Sequence, residues 1–232
     1  MYIDWSYIIL VLPAVIFSLW ASANVKSSYA KYSKQYNNRG LTAADAARRV
    51  LNANGLSNVA IAYIDGELTD HYDPETNVIS LSSSVHDSCS TAAVGVACHE
   101  VGHAIQFAEG YGPAKFRTAI VPITNIGAKL SVPLLFVGLL LASLSELFVY
   151  LAYAGVACYA LCALFQLVTL PTEFDASRRA LATIDELQLL TGDEREGARR
   201  VLRAAALTYV AALSVTLMQL LRFLIILSGR RD

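Results

Sequence analysis

The feature that most limits the fold of this chain is a run of 24 residues without a charged side chain, from Leu147 to Leu170. About 20 apolar residues in a helix are enough to cross the hydrocarbon core of a bilayer. A second run, from Thr118 to Ser145, contains Lys129 as its only charged residue, and Ala142 to Glu146 is the only clear break between the two runs. The two runs predict a transmembrane hairpin in which Lys129 reaches towards the headgroups.

Two further apolar runs lie near the ends of the sequence. Trp5 to Ala23 holds no charged residue, and Ala204 to Leu221 gives 18 more uncharged residues before Arg222. The residues before the first run include Asp4 and no Lys or Arg, so an uncleaved anchor is favoured over a cleaved signal peptide. Together with the hairpin, these runs predict about four transmembrane helices.

The composition of the 232-residue chain agrees with a membrane protein. Hydrophobic residues make up 55% of the chain and charged residues 16%, and 18 basic side chains face 19 acidic ones. This balance leaves no basic excess for binding nucleic-acid phosphates. The apolar content also excludes a disordered chain, because enough surface can be buried to offset the ordering entropy. We therefore expect a mainly α integral membrane protein.

The positions of Lys and Arg predict the orientation, because cytoplasmic loops collect basic residues. Eight of them lie between the first run and the hairpin and six between the hairpin and the last run, whereas the hairpin tip has none. We expect a multi-pass protein of the cell membrane with both polar stretches in the cytoplasm. A strict four-span arrangement places Arg230 and Arg231 outside against the same rule, so full crossing by the last segment stays open.

The larger polar stretch is predicted to contain two helices and a small sheet. Thr42 is a suitable N-cap for an amphipathic helix that Gly55 ends, and residues 91–107 suit a buried helix without proline. Between the helices, short runs bounded by turn signals, among them Asp65-Gly66, predict an antiparallel meander. It is expected to have two or three strands within Asn58–Ile64, Glu67–Tyr72 and Val78–Ser82.

The second helix of this stretch carries His99-Glu100-Val101-Gly102-His103, an H-E-x-x-H pattern. Residues four apart share a helix face about 6 Å apart, so His99 and His103 can bind one metal ion. Glu100 is then placed beside the open coordination position, where it can take a proton from water. Two core histidines partnered by Glu100 are the less favoured interpretation, because burying these groups without a cation is costly.

A catalytic zinc ion needs a third protein ligand. The longer motif H-E-x-x-H-x-x-G-x-x-H is absent. Gln106 occupies the position of its glycine, and Glu109 occupies the position of its third histidine. The hairpin returns the chain to the same side of the membrane at Pro171, shortly before Glu173. We expect Glu173 to be the third ligand, whereas Asp175 is about 200° further round a helix and cannot face the same ion.

Small residues should allow the helix of Glu173 to approach the motif helix. Ala176 and Ser177 share the face of Glu173, and we expect them to pack on the Gly95 and Gly102 face. The alternative for Glu173 is an acidic residue that complements the dipole at the start of a helix.

The order of these features resembles the YugP-type membrane zinc metallopeptidases. The resemblance covers nearly the whole chain and includes Leu68 to Pro74 and Thr172 to Ala180, with Glu-Phe-Asp-Ala-Ser-Arg-Arg. More distantly, the chain resembles the gluzincins, whose third ligand is the glutamate of E-x-x-x-D, but Ser177 stands in the position of that aspartate. The resemblance implies a small cytoplasmic α+β core, gluzincin-like, with a helix, a short antiparallel sheet, the H-E-x-x-H helix and a Glu-bearing helix.

The activity implied by the resemblance is hydrolysis of peptide bonds with one zinc ion per chain. Zinc held by His99, His103 and Glu173 would acidify its water and polarise the scissile carbonyl, with Glu100 as general base. The expected partners are the bilayer and a membrane-associated protein or peptide substrate, with no nucleic acid.

The gluzincin likeness also implies that the strand before the motif helix pairs with substrate as an added strand. That strand consists of Val78, Ile79, Ser80, Leu81 and Ser82. Further candidates for transition-state or substrate contacts are His71, Arg178, Arg179 and Tyr209. The two arginines are better candidates for phosphate-facing or helix-pairing groups at the membrane surface.

Two other functions stay open at this point. A catalytically silent scaffold or adaptor would keep zinc for stability, although an intact Glu100 argues against it. A site-2-type intramembrane protease takes an aspartate from a downstream Leu-Asp-Gly, but the similar triplet Ile64-Asp65-Gly66 lies upstream, in a predicted hairpin turn.

The predicted organisation follows from these elements. The expected segments are an anchor at 1–24, a peptidase core at 25–117, the hairpin at 118–170, the third-ligand helix and a cytoplasmic loop at 171–203, and the last helix with a tail at 204–232.

Overall fold

A computed structural model describes residues 4–229, and Arg230 and Arg231 lie outside the described residues. The first element among the described residues is a π-helical turn at Tyr7–Val11. The elements that follow are α1 (Leu12–Tyr32), α2 (Ala43–Ala53), β1 (Ala60–Ile64), β2 (His71–Asp73), β3 (Val78–Ser82), α3 (Thr91–Ala108), α4 (Gly112–Leu140), α5 (Glu146–Glu186) and α6 (Asp193–Ser228).

These elements divide into two compact units. The apolar unit consists of the described residues up to Trp20, Phe116–Leu170 and the described residues from Thr208 onwards. The sheet unit consists of Ala21–Lys115 and Pro171–Leu207, and it contains the whole sheet.

Within residues 4–229, four helices are long and apolar enough to cross a membrane, as the charge-free runs predict: Tyr7–Tyr32, α4, α5 and α6. The hairpin breaks where expected, since α4 ends at Leu140 and α5 begins at Glu146. The helices extend well beyond the apolar runs, because helical hydrogen bonding does not stop where hydrophobicity does. In particular, α5 continues through Pro171 to Glu186, so Glu173 lies on the same helix as the apolar run Leu147–Leu170.

Glycines bring α4 and α5 together within the apolar unit. A Cβ atom on Gly138 would lie 2.4 Å from the backbone nitrogen of Ala152, and one on Gly155 would lie 2.6 Å from that of Leu135. No side chain fits at these two positions without moving the neighbouring backbone. The two helices of the hairpin therefore pack backbone to backbone, the usual contact of small residues between membrane helices.

The sheet differs from the predicted antiparallel meander. Its strand order is β1-β3-β2, with β1 parallel to β3 and β2 antiparallel to it. Because Ile79 and Leu81 of β3 are both 0% exposed, this most deeply buried strand occupies the centre, while β2 has only three residues. Asp65-Gly66 consequently belongs to a crossover link and not to a hairpin turn, since β1 and β2 are not paired.

The core of the sheet unit lies between α2, α3 and β3. Thr42 caps α2 as expected, accepting a hydrogen bond from the backbone N–H of Asp45 at 3.1 Å, and Gly55 follows the helix with φ +72°. Ser90 caps α3 through the N–H of Ala93 at 3.2 Å. Fully buried side chains between these elements include Val50, Leu51, Ile79, Leu81, Val94 and Val101. Each contributes roughly 1.5–3 kcal/mol by burial, so α3 is held firmly against the sheet.

Candidate metal centre

Helix α3 holds the H-E-x-x-H residues in a buried position. Its sequence has no proline, Ser90 caps its first turn, and Gly110 with φ +74° follows its end. Glu100 and His103 are 8% and 9% exposed, and His99 is partly buried. The pattern therefore lies on a rigid, mostly buried helix, as predicted.

Glu173 of α5 meets both histidines of α3. Its Oε2 lies 3.2 Å from Nε2 of His99 and 3.6 Å from Nε2 of His103. The two imidazole rings are 4.8 Å apart between centroids and nearly perpendicular, at 81°. One ligand atom from each of the three side chains lies within 4.8 Å of the others. The structure thus brings together the three residues expected from the sequence to hold a metal ion.

The approach of α5 to α3 depends on Gly102. A Cβ atom at this position would lie 2.5 Å from the carbonyl oxygen of Ala176, so no side chain fits there. The expected contact of Ala176 with Gly102 is therefore present. Gly95, however, faces Ala198 of α6, where an added Cβ would lie 3.1 Å from the Ala198 Cβ, and the expectation that it would face α5 is wrong.

Glu173 faces the Nε2 atoms of the two histidines, and the Nδ1 atom of each ring has a hydrogen-bond partner of its own. The Nδ1 atom of His99 lies 3.1 Å from the hydroxyl of Ser177, and that of His103 lies 3.0 Å from Oε1 of Gln106. The contact to His99 is thus made by a hydroxyl and not by a carboxylate. Because an amide oxygen only accepts, Nδ1 of His103 carries the proton, which leaves its Nε2 free to bind a metal.

Gln106 connects His103 to α5. Its Nε2 donates to the carbonyl oxygen of Thr172 at 2.8 Å and to Oδ2 of Asp175 at 2.9 Å. These two acceptors fix the orientation of the amide, which is 0% exposed. Sequence reasoning missed this role because it treated Gln106 only as a departure from a longer zinc motif. The available signal was its spacing, three residues after His103 on the same helix face.

Glu100 lies near His103 but does not belong to the cluster of three potential ligands. Its Oε2 accepts a hydrogen bond from the backbone N–H of Tyr72 at 3.0 Å. This contact anchors the carboxylate to β2, one of the two edge strands of the sheet. A carboxylate that is held by a backbone donor and lies next to His99 in sequence is suited to proton transfer.

The charges at the site favour a cation. Burial raises the pKa of Glu173, but its hydrogen bonds to His103 and His99 outweigh burial and hold the pKa well below its ordinary range. Burial lowers the pKa of His103, yet the hydrogen bond to Glu173 and the negative charges of Glu100 and Glu173 raise it above its ordinary value. Two carboxylates around one histidine pair create a negative site. Two imidazole nitrogens and one carboxylate oxygen form the donor set of a catalytic zinc ion, so these residues fit zinc.

The remaining predicted contacts occupy different places. His71 lies on β2 with an exposed side chain, and its Nδ1 is 2.9 Å from the carbonyl oxygen of Thr69. Arg179 bridges Asp175 and Glu109, at 2.5 and 2.6 Å, which makes it a helix-pairing residue. Arg178 is 75% exposed at the side chain and also contacts Asp175. Tyr209 belongs to the apolar unit, and a substrate contact there stays a prediction.

The strand Val78–Ser82 does not have the position expected of a substrate-pairing strand. As β3 it lies in the centre of the sheet, with β1 hydrogen-bonded along one side and β2 along the other. An added strand needs unpaired backbone groups, so this expectation is wrong for β3. The edge beside Glu100 belongs to β2, whose Tyr72 N–H points to the Glu100 carboxylate.

A helix with H-E-x-x-H, a carboxylate ligand from a second helix and four helices of membrane-spanning length are typical of a membrane zinc peptidase. Residues 7–228 match the family described as "Putative neutral zinc metallopeptidase", and the chain belongs to this family. A curated relative, "Putative membrane protease YugP" of Bacillus subtilis, is 44% identical over 227 residues, which cover 97% of this chain and 98% of the relative. No solved structure matches the chain. The family expected from the sequence is thereby confirmed.

Proposed function

We propose that this protein is a membrane-anchored zinc metalloendopeptidase that hydrolyses peptide bonds of membrane or membrane-proximal proteins. The observation that carries the proposal is the convergence of His99, His103 and Glu173, with Glu100 held beside them by a separate hydrogen bond. Membership of a family described as zinc metallopeptidases supports the same activity. The four apolar helices support action at a membrane.

Three side chains would hold the zinc ion: His99 and His103 through Nε2 and Glu173 through a carboxylate oxygen. When bound, zinc supplies acidification of a water molecule and polarisation of a carbonyl oxygen. Ser177 and Gln106 orient the two imidazole rings through Nδ1, and so they fix the ligand nitrogens in place.

Glu100 would move the proton. Its carboxylate accepts a proton from the attacking water and then donates it to the nitrogen of the leaving amine. The backbone N–H of Tyr72 holds the carboxylate in position, and its 8% exposure limits competition from bulk water. Glu100 has its own hydrogen-bond donor and is not among the three clustered ligands, so it is available for this transfer.

The substrate would bind along the free edge of β2. This strand pairs with β3 on one side only, and its Tyr72 N–H faces away from β3 towards Glu100. A peptide lying along that edge would pass directly beside Glu100. Because the Tyr72 N–H is already bonded to that carboxylate, the peptide backbone would pair with the remaining backbone groups of the edge. The distribution of basic residues further supports a site on the cytoplasmic side of the cell membrane.

The variant Glu100→Gln tests the proposal, because it removes the proton acceptor and keeps the shape of the side chain. Purified full-length protein in lipid nanodiscs should retain its zinc, measured by mass spectrometry of the metal, while cleavage of a peptide library falls about 100-fold or more. Membrane proteomes of cells that express either form should then differ in the substrates. Equal zinc content together with unchanged proteomes and unchanged cellular effects would assign the protein to the scaffold class instead.

A further inference from the structure

The parts of α5 and α6 in the sheet unit enclose a groove that the proposed chemistry does not use. The groove has a volume of about 460 Å³. Its lining includes the apolar side chains of Phe174 and Leu181 from α5 and of Leu202 and Ala206 from α6. Phe174 is 46% exposed although it is a large aromatic residue. A concave apolar surface of this volume between two helices can accept the apolar part of a ligand.

The remaining lining of the groove contains more basic than acidic side chains. Four arginines contribute to it, with Asp185 as the one carboxylate in the lining: Arg178, Arg195, Arg199 and Arg203. Asp185 pairs with Arg195 at 2.5 Å, and Arg199 pairs with Glu196 at 2.7 Å. Arg203 is exposed and has no ion-pair partner within residues 4–229. The groove therefore keeps uncompensated positive charge at Arg203.

Arg178 can contribute a second group to the same ligand. It contacts Asp175 through one terminal nitrogen, and its side chain is 75% exposed. A guanidinium carries five N–H donors, so Arg178 keeps donors that point to solvent. Two arginines with free donors above an apolar surface suit a phosphate group attached to a hydrocarbon chain.

The sequence places this groove at the depth of lipid headgroups. Arg203 directly precedes the apolar run that begins at Ala204, and Phe174 follows the run that ends at Leu170 by four residues. At about 1.5 Å per residue, Phe174 is about 6 Å along α5 from that run. The headgroup region of one leaflet is about 5–8 Å thick. Both helices therefore present the groove directly next to their apolar runs.

We propose that this groove binds an anionic phospholipid, with its phosphate at Arg203 and Arg178 and an acyl chain against Phe174 and Leu202. A peptide substrate is the less suitable occupant for a geometric reason. Ser177 lines the groove and contacts Nδ1 of His99, whereas Glu173 lies at Nε2 on the other side of the ring. The groove thus lies behind the imidazole, away from the clustered ligand atoms. The lipid site does not rest on the proposed proteolytic function.

Photolabelling of the full-length protein tests the site. The protein is placed in phosphatidylcholine nanodiscs that contain a photoactivatable phosphatidylglycerol, and labelled peptides are quantified by mass spectrometry. We expect adducts within residues 174–206, about fivefold above those from a phosphatidylcholine probe with the same photoreactive group. Arg203→Gln should lower the adduct yield by roughly fivefold. Arg178→Gln provides a second variant should Arg203→Gln fail to fold, as judged by thermal unfolding.

Arg200→Gln is the matched control, because it removes the same charge from the same helix but Arg200 does not line the groove. Its labelling should equal that of the unchanged protein. Equal labelling by both lipid probes, or equal losses in the Arg200 and Arg203 variants, would overturn the site. If millimolar inorganic phosphate alone abolishes labelling by the lipid probe, the groove binds a free anion and not a lipid. If an acidic photoactivatable peptide labels the groove in place of the lipid, the groove binds substrate.

Discussion

The amide oxygen of Gln106 lies 3.0 Å from Nδ1 of His103, while the amide nitrogen of the same side chain lies 2.9 Å from Oδ2 of Asp175. Asp175 therefore acts on the histidine through Gln106, although it contributes no atom to the metal-ligand cluster. Arg179 in turn donates to Asp175 at 2.5 Å. This chain of contacts runs from the surface of α5 to a ligand of the proposed zinc ion and orients the ring.

Replacing Gln106 should weaken zinc binding without removing a ligand. In Gln106→Ala, Nδ1 of His103 loses its acceptor, and we expect zinc affinity to fall about 10- to 100-fold. Competition with a chelator of known affinity measures this change. Gln106→Glu should also weaken binding, because its carboxylate would face Asp175. Wild-type zinc affinity in Gln106→Ala would show that the amide only fills space.

The assignment of Glu173 as third ligand predicts a contrast between two carboxylates of one helix. Glu173→Ala should lose bound zinc at micromolar metal, since two histidines alone hold it weakly. Asp175→Asn should keep its zinc, because the amide oxygen still accepts a hydrogen bond from Gln106. The zinc content of the two purified variants shows which of the two carboxylates is the ligand. Full zinc in the first variant and none in the second would reverse the assignment.

The contact of Gly102 with Ala176 predicts sensitivity to a single methyl group. Gly102→Ala would drive a Cβ atom to within 2.5 Å of the Ala176 carbonyl oxygen, so α5 must move away and carry Glu173 with it. We expect a loss of about 1–3 kcal/mol in the free energy of unfolding and a loss of zinc. Gly112→Ala is the control, because nothing lies within 4 Å of its added Cβ. Unfolding in detergent, followed with and without zinc, provides the measurement.

The raised pKa of His103 predicts that stability depends on pH in opposite directions with and without zinc. Without zinc, the raised pKa of His103 gives stability that is present below its ordinary value of 6.5 and lost as the pH rises through the folded value. The lowered pKa of Glu173 keeps that carboxylate charged throughout this range. The unfolding temperature of chelator-treated protein should therefore fall from about pH 6 to about pH 9.

With zinc, protons compete with the metal for His103, so acidification should destabilise the protein instead. His103→Gln should remove the slope seen after chelation. An unfolding temperature that rises towards pH 9 in chelator-treated protein would contradict the pairing of His103 with Glu173.

Much of this architecture follows from local sequence patterns, and the rest depends on distant contacts. The spans follow from uncharged runs, and the spacing of His99 and His103 follows from the helical repeat. The position of β3 could not be predicted, because burial of Ile79 and Leu81 decides the strand order. The role of Gln106 depends on Thr172 and Asp175, which are 66 and 69 residues away in sequence.

Within the apolar unit, an ion pair ties the beginning of the chain to α6. Nε of Arg222 donates to Oδ2 of Asp4 at 3.1 Å, and its guanidinium lies 5.4 Å from the centre of the Tyr7 ring. An arginine in an apolar helix is costly unless it is paired. The pair places the start of the first helix beside the last turns of α6, an arrangement that suits a last helix that crosses completely.

Arg222→Gln and Asp4→Asn should each lower the unfolding temperature slightly and by a similar amount, because both side chains are partly exposed. The double variant should cost little more than either single variant, because the interaction is lost only once. Thermal unfolding in nanodiscs measures all three. Lys129→Gln, which removes a charge from α4, is the control and should have little effect. Strictly additive losses in the double variant would show that Asp4 and Arg222 do not interact in the folded protein.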